Sequence, residues 1–298
     1  RHAVPVVQQE LGTVPGAEAT AARHGPDDVL SGDLAHQCPL VQLGALDGGG
    51  DRAEDDPSCP VGPPWRLVRR GRGGLAVVEQ AWDERTPIDR VHMVNLIVTI
   101  PGTHKDRLVI AGHYDTKLTR EFRFVGASDG GSSAAFLIEM ARVLKARRNA
   151  MTIELVFLDG EEARLWEWQG TDNTYGSRHY VETARRDGSL ATLKAMVLVD
   201  MIGDRDLVVR RDTNSTPWLT DLVWGAAKRL ELDNYFVPES TRVEDDHLPF
   251  LAAGVPSVDI IDLDYEPWHT AKDTLDAVSA RSLQVVGDVV LAALPQIE

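Results

Sequence analysis

Residues 76–298 predict an α/β fold: a mostly parallel, mixed central β-sheet with helices on both faces. Two observations carry this reading. Apolar stretches of strand length alternate with stretches whose apolar residues recur at helical spacing. The inner strands RLVIAG, TIELVFL and AMVLV are apolar but for Arg107, Thr152 and Glu154, as expected of strands covered on both faces.

Taken in order, Leu75–Trp82 and Val91–Ile100 read as neighbouring strands, and Arg107–Gly112 as a short buried one. Gly131–Arg147 places Ala134, Leu137, Ile138, Ala141 and Leu144 on one helical stripe. Thr152–Leu158 is a strand, Tyr175–Arg186 a helix and Ala195–Val199 a strand. Leu207–Arg211 is expected to extend the sheet edge. Pro217–Leu230 reads as a helix, with Thr216 as its cap and proline at the first helical position. His247–Ala253 is a short helix and Val255–Leu263 the last strand. Ser279–Leu294 closes the domain as a helix with Val286, Val289, Val290, Ala293 and Leu294 on one face. No internal repeat is present.

The 298 residues suffice to bury a large core. Acidic side chains outnumber basic ones 46 to 31, a formal charge of −15. That argues against a broad nucleic-acid or anionic-membrane surface, which needs a basic face. No apolar run approaches the roughly 20 residues of a transmembrane helix. No apolar leader follows Arg1, so no signal peptide is visible. Cys38 and Cys59 are too few for a disulfide scaffold, and neither sits in a CxxC pair.

Residues 1–75 differ in kind. They hold 12 of the 25 glycines and 8 of the 16 prolines, lack Phe, Tyr, Ile, Met, Lys and Asn, and have Trp65 as their only aromatic residue. Without either apolar period, this stretch reads as an irregular, disordered Gly/Pro-rich segment. The missing residue types are mostly those with A/T-rich codons, so out-of-frame translation of GC-rich DNA is a second explanation. Residues 76–298 are the expected catalytic domain.

In open α/β sheets, ligands bind beyond the carboxyl ends of the strands. RLVIAG is followed by His113, TIELVFL by Glu161 and Glu162, AMVLV by Asp200, and the last strand by Trp268 and His269; Asp129 lies just before the first long helix. Each has an ordinary reading: Asp129 as a helix cap, His113 as a hydrogen-bonded core residue, the Glu pair as a solvated turn. Together, these acids and imidazoles on one rim would repel one another unless a cation held them. Carboxylates with His and no Cys suit a catalytic zinc ion. A carboxylate beside the ligand set is the expected general base. HExxH and P-loop motifs are absent from the sequence.

The segments AGHYDTK, VGASDGGSSAAFLIEMARVL, FLDGEEA, TYGSRH, VDMIG, DDHLPFLAAGVP and WHTAKDT occur in that order. This series resembles the glutaminyl cyclases (glutaminyl-peptide cyclotransferases) of the zinc aminopeptidase superfamily, over roughly residues 76–295. The resemblance implies that Asp129, Glu162 and His269 bind one Zn²⁺ and that Glu161 is the acid/base. It implies a carboxyl hydrogen-bond network of Asp200 and Asp245 with Glu161, which should keep the Glu161 carboxyl protonated to higher pH. It assigns substrate contact to Trp168 and Trp268. The implied substrates are peptides or proteins with N-terminal glutamine, converted to pyroglutamate with release of ammonia. The rival is a two-zinc aminopeptidase in which His113 and Asp200 hold a second metal and Glu161 activates water. A relative that binds metal or peptide without turnover is a third reading. Gly112 and Ala134 stand where vertebrate secreted cyclases carry a disulfide, so the likeness is to the bacterial branch. Family habit implies a secreted or periplasmic location, and a monomer is expected. The family's N-terminal helices are not recognisable in residues 1–75.

Overall fold

The computed structural model describes residues 65–70 and 74–297. Nine strands are present among them: β1 (Trp65–Arg70), β2 (Ala76–Arg85), β3 (Arg90–Ile100), β4 (Arg107–His113), β5 (Thr152–Leu158), β6 (Leu193–Asp200), β7 (Val209–Asp212), β8 (Phe236–Thr241) and β9 (Ser257–Ile261). Five helices accompany them: α1 (Gly131–Ala146), α2 (Tyr175–Arg186), α3 (Pro217–Arg229), α4 (His247–Ala252) and α5 (Ala280–Ile297). No described helix is long and apolar enough to cross a membrane.

Seven strands form one sheet in the order β1-β2-β3-β5-β4-β6-β9. The strands β1, β2 and β3 are an antiparallel meander, and β3 meets β5 antiparallel. From β5 through β4 and β6 to β9 all pairings are parallel. The predicted mixed, mostly parallel class is therefore the observed one. Strand β1 lies inside the stretch read as irregular. The rest of residues 1–64, with both cysteines, lies outside the described residues.

Alternate residues of the central strands feed two separate cores, because side chains alternate across a sheet. Leu108 and Ile110 of β4 pack with Phe136, Leu137 and Leu144 of α1 and with Val286, Val289 and Val290 of α5. Val109 and Ala111 pack on the other face with Tyr180 and Val181 of α2 and Phe250 of α4. Both faces are thus covered by helices, which is why the inner strands carry no polar alternation.

Two expectations are corrected. Leu207–Arg211 does not extend the main sheet. Val209–Asp212 instead pairs in parallel with β8 in a separate two-stranded sheet. Thr216 precedes α3 with Pro217 at the first helical position, but its hydroxyl makes no cap. Thr216 Oγ1 instead accepts the Ser257 N–H at 3.0 Å, tying α3 to β9.

Register brings the strand ends level. His113 lies opposite Leu158, and Asp200 opposite Ile261. The residues that follow β4, β5, β6 and β9 therefore emerge on one rim.

Candidate metal centre and active site

Two groups of ligand-type side chains meet on that rim. Asp129, Glu162 and His269 form one, and His113, Asp129 and Asp200 the other; in each group the donor atoms lie within 4.8 Å of one another. Asp129 belongs to both. Its Oδ2 is 3.3 Å from His269 Nε2, and its Oδ1 is 3.2 Å from His113 Nε2. His269 Nε2 is 2.8 Å from Glu162 Oε1, and His113 Nε2 is 2.9 Å from Asp200 Oδ1. Glu161 joins neither group, and its Oε2 lies 3.8 Å from His113 Nδ1 of the second.

Backbone geometry explains how the residues converge. Gly112 lets α1 approach β4: a Cβ there would sit 2.5 Å from Ser133 Cβ and 2.7 Å from the Val199 carbonyl oxygen. Gly130 has φ 84°, and a Cβ there would meet the Asp115 carbonyl oxygen at 2.5 Å. Only glycine adopts that conformation without strain. His269 at φ 52° and Met201 at φ 46° are left-handed without being glycine, the sort of local strain that surrounding structure must enforce. At Met201 the enforcement is visible, since its N–H donates to Asp200 Oδ1 at 2.7 Å.

Carboxylate forks hold the ligand-bearing loops. Asp115 accepts the consecutive N–H groups of Glu161 and Glu162 at 3.1 and 3.2 Å. Asp273 accepts those of Ser128 and Asp129 at 2.8 and 3.1 Å, and the Tyr265 hydroxyl at 2.7 Å. Asp172 accepts those of Arg164 and Leu165 at 3.2 and 2.8 Å. The same device thus fixes both acidic residues of the first group and the root of the Trp166–Trp168 loop. The buried Lys117 adds its ammonium, donating to the Ala163 carbonyl at 3.0 Å and lying 3.5 Å from Glu162 Oε2.

Reading residues along the chain missed these four. Asp115 and Asp273 sit inside segments already singled out, HYD and HTAKD, each a few residues from a ligand. The backbone groups they accept are 46 and 145 residues away in the case of Glu161 and Ser128, which no local pattern displays.

The aromatic surroundings also differ in part from expectation. Trp268 has its ring centroid 4.6 Å from that of His269, the next residue in the chain. Two aromatics not singled out join it: Trp166 at 6.2 Å and Phe124 at 5.9 Å from the same ring. Trp168 lines a separate cavity that also reaches Asp245. The implied carboxyl network takes another form too. Among the described residues, the hydrogen bonds of the Asp200 carboxyl go to His113 and the Met201 N–H. Asp245 Oδ1 accepts the Asp246 N–H at 2.5 Å, and its Oδ2 makes no hydrogen bond. Both acids act on Glu161 through space.

Burial pushes the Glu161 carboxyl well above its ordinary range; His113 opposes this, while Glu162, Asp245 and Asp200 add to it. Burial likewise raises Asp245, with Asp200 and Asp246 adding repulsion. Burial alone would lower His269, but the Asp129 and Glu162 carboxylates facing its Nε2 carry it up to about 9. The rim thus holds more negative charge than it can ionise without a counter-ion.

The donor set fits a zinc ion. Asp129 Oδ2 and Glu162 Oε2 are buried and make no hydrogen bond; His269 Nε2 at 3.3 Å and the Lys117 ammonium at 3.5 Å face them, and a metal ion would supply the direct partner that buried carboxylate oxygens require. Two carboxylates and one imidazole leave further coordination positions open to substrate, as catalytic zinc sites require.

Residues 95–294 match the description of peptidase family M28. The chain belongs to this family. It is 32% identical to the glutaminyl-peptide cyclotransferase-like protein of Bos taurus, over 70% of this chain and 61% of that one. It is 28% identical to the glutaminyl-peptide cyclotransferase of Drosophila melanogaster, over 66% of this chain and 63% of that one. The chain thus spans less than two thirds of either curated relative. Among solved structures, an Acidobacteriales bacterium glutaminyl cyclase superposes with TM-score 0.72 at 45% identity, covering 74% of this chain and 79% of the other. A leucine aminopeptidase precursor from Bacteroides thetaiotaomicron gives 0.67 at 25%, covering 74% and 83%. The motif resemblance and the fold class both agree with these M28 relatives.

Proposed function

We propose that the protein is a zinc-dependent glutaminyl-peptide cyclotransferase. The observation that carries this reading is a carboxyl group, Glu161, left free beside a complete ligand triplet under an aromatic cover. Asp129, Glu162 and His269 would hold the ion. Bound there, zinc supplies Lewis acidity toward the γ-carboxamide oxygen of an N-terminal glutamine.

The chain's own residues do the rest. Trp268, Trp166 and Phe124 present carbon around His269 and exclude water, which is not a reactant in cyclisation. Glu161 takes a proton from the substrate's α-amino nitrogen as that nitrogen bonds to the side-chain carboxamide carbon, Cδ. The same carboxyl then returns the proton to the departing carboxamide nitrogen. The carboxamide carbon–nitrogen bond breaks, ammonia leaves and the five-membered pyroglutamyl ring remains. A carboxyl that burial and its neighbours hold above the ordinary range suits both transfers. Asp115 positions Glu161 and Glu162 together through their backbone, so the proton carrier and a metal ligand keep a fixed spacing.

A second reading has an observation of its own. His113, Asp129 and Asp200 form a second metal-competent group, with Asp129 turning one oxygen to each. That arrangement suits a two-zinc aminopeptidase, in which Glu161 would activate water. One experiment separates the two: a Gln-initiated peptide is incubated with purified protein, the product is weighed by mass spectrometry, and zinc is counted on the same sample. Loss of ammonia with the first residue retained, at about one zinc per chain, supports the cyclase. Release of the first residue at about two zincs per chain overturns it.

A further inference from the structure

Strand β3 is longer than its contact with β5. It pairs with β5 only from Leu96 to Ile100, while β2 follows it back to Arg90. Because β3 and β5 are antiparallel, the remaining stretch runs past the carboxyl end of β5, where Glu161 and Glu162 follow. The β2–β3 hairpin is therefore an arm that stands beside the rim. It contributes no residue to either ligand group.

The arm reaches the aromatic loop along two lines. At its tip, Asp89 Oδ2 lies 2.6 Å from Arg164 Nη2. That carboxylate is fixed from behind: Thr86 Oγ1 donates to Asp89 Oδ1 at 2.5 Å and accepts the Asp89 N–H at 3.1 Å. The Arg164 side chain is only 16% exposed, so salt screens the pair less than it would an open surface pair. Along the flank of the arm, Val91 and Met93 form a small buried cluster with Tyr175. The Tyr175 hydroxyl donates to Asp172 Oδ1 at 2.6 Å, and Asp172 is the carboxylate that accepts the Arg164 and Leu165 N–H groups. Both lines end at Arg164. This residue stands in the chain between Glu162 and Trp166, whose ring lies 6.2 Å from that of His269.

We infer that the β2–β3 hairpin is a positioning arm for the aromatic cover, and that Asp89, acting through Arg164, fixes where Trp166 stands over the site. The kinetic consequence rests on the cyclase reading. A loop already held in its binding position loses less freedom when substrate arrives. Releasing the clasp should therefore raise KM about fivefold, the upper end of what a partly exposed ion pair is worth. The reacting groups are untouched, so kcat should stay as it is.

The test measures KM and kcat for ammonia release from Gln-Ala-amide, zinc content, and the rate of trypsin cleavage after Arg164. Wild type is compared with Asp89→Asn, which keeps the Thr86 contact and loses the charge, and with Asp89→Glu, which keeps the charge. Arg164→Gln is made alone and together with Asp89→Asn. A KM about fivefold higher in each of Asp89→Asn and Arg164→Gln, no higher in the double variant and near wild type in Asp89→Glu, supports the inference. Zinc content should not change, and trypsin should cut after Arg164 faster in Asp89→Asn, where the guanidinium is released. Thermal melts establish which variants are folded, and one folded single variant suffices to decide. An unchanged KM in a folded single variant, or rises that add in the double one, overturns the inference while the cyclase reading stands. Wild-type protein that releases no ammonia overturns the cyclase reading, and trypsin then decides the arm. Faster cleavage in Asp89→Asn than in wild type supports it, and equal cleavage overturns it.

Discussion

Strands β4 and β5 carry buried charge at both ends, and the two ends are built differently. At the start, Arg107 Nη1 donates to Glu154 at 2.7 Å, Nε to Thr192 at 2.8 Å and Nη2 to the Ser189 carbonyl at 2.7 Å. The Tyr180 hydroxyl donates to the other Glu154 oxygen. Each charge there meets its opposite, and each polar atom has a partner. At the far end of the same strands, His113, Glu161 and Glu162 meet Asp129, Asp200 and Asp245, and several oxygens are left without one. A closed polar cluster gives the fold specificity and rigidity. An unbalanced one is tolerated only where something from outside completes it. The difference separates structure from function without reference to any relative.

The largest expected effect tests the open end. Glu161→Gln should lower turnover by about a thousandfold while zinc content stays unchanged. Ammonia release and metal analysis on one preparation read both, and a variant that keeps its activity would remove Glu161 from the mechanism. The closed end should answer in stability instead. Arg107→Met leaves Glu154 buried without its cation and should cost about 3 kcal/mol in denaturant unfolding, with kcat unchanged. A drop in kcat there would break the contrast between the two ends. Asp172→Asn sharpens it on the aromatic side. Asparagine can accept through one oxygen only, so either the Arg164 or the Leu165 N–H loses its acceptor, at about 1–2 kcal/mol. We expect this as a roughly tenfold rise in KM with kcat and bound zinc retained, and an unchanged KM would deny the loop its role in binding.

The smallest effect is a pH dependence away from both ends. Asp262 follows β9, and burial pushes its carboxyl up to about 7 against the N–H groups of Val208 and Asp264, which favour the ionised form. Its folded pKa is above the unfolded one, so the native state holds a proton that the unfolded chain has released between about pH 4 and about pH 7. Raising the pH through that window should therefore erode stability. Asp262→Asn should flatten the slope in scanning calorimetry; an unaltered slope would assign it to other groups.

Much of the fold is legible along the chain, for physical reasons that vary by element. Thr152–Leu158 and Tyr175–Arg186 have the bounds that their patterns suggest, because an apolar run ended by Asp-Gly and an amphipathic stretch bounded by glycine are local signals. Strand β8 carries no such signal, because FVPEST contains proline and exposes half of its residues, as edge strands do. The ligand types of the candidate site were legible because parallel strands deliver their following residues to one rim. Their partners were not. That Asp200 turns to His113, or that Trp166 rather than Trp168 faces His269, depends on loop conformations with no period to read. The three carboxylate forks bind backbone groups, which leave no mark on residue identity.

The aromatic cover has an optical consequence. Three of the seven tryptophans, Trp166, Trp168 and Trp268, stand on the loops that border the site. The protein therefore carries its own fluorophores where a peptide would arrive, with Trp166 and Trp268 beside an imidazole whose protonation and metal binding can alter their emission. Emission intensity and its quenching by acrylamide can then follow occupancy of the mouth in real time, without a label and without waiting for product.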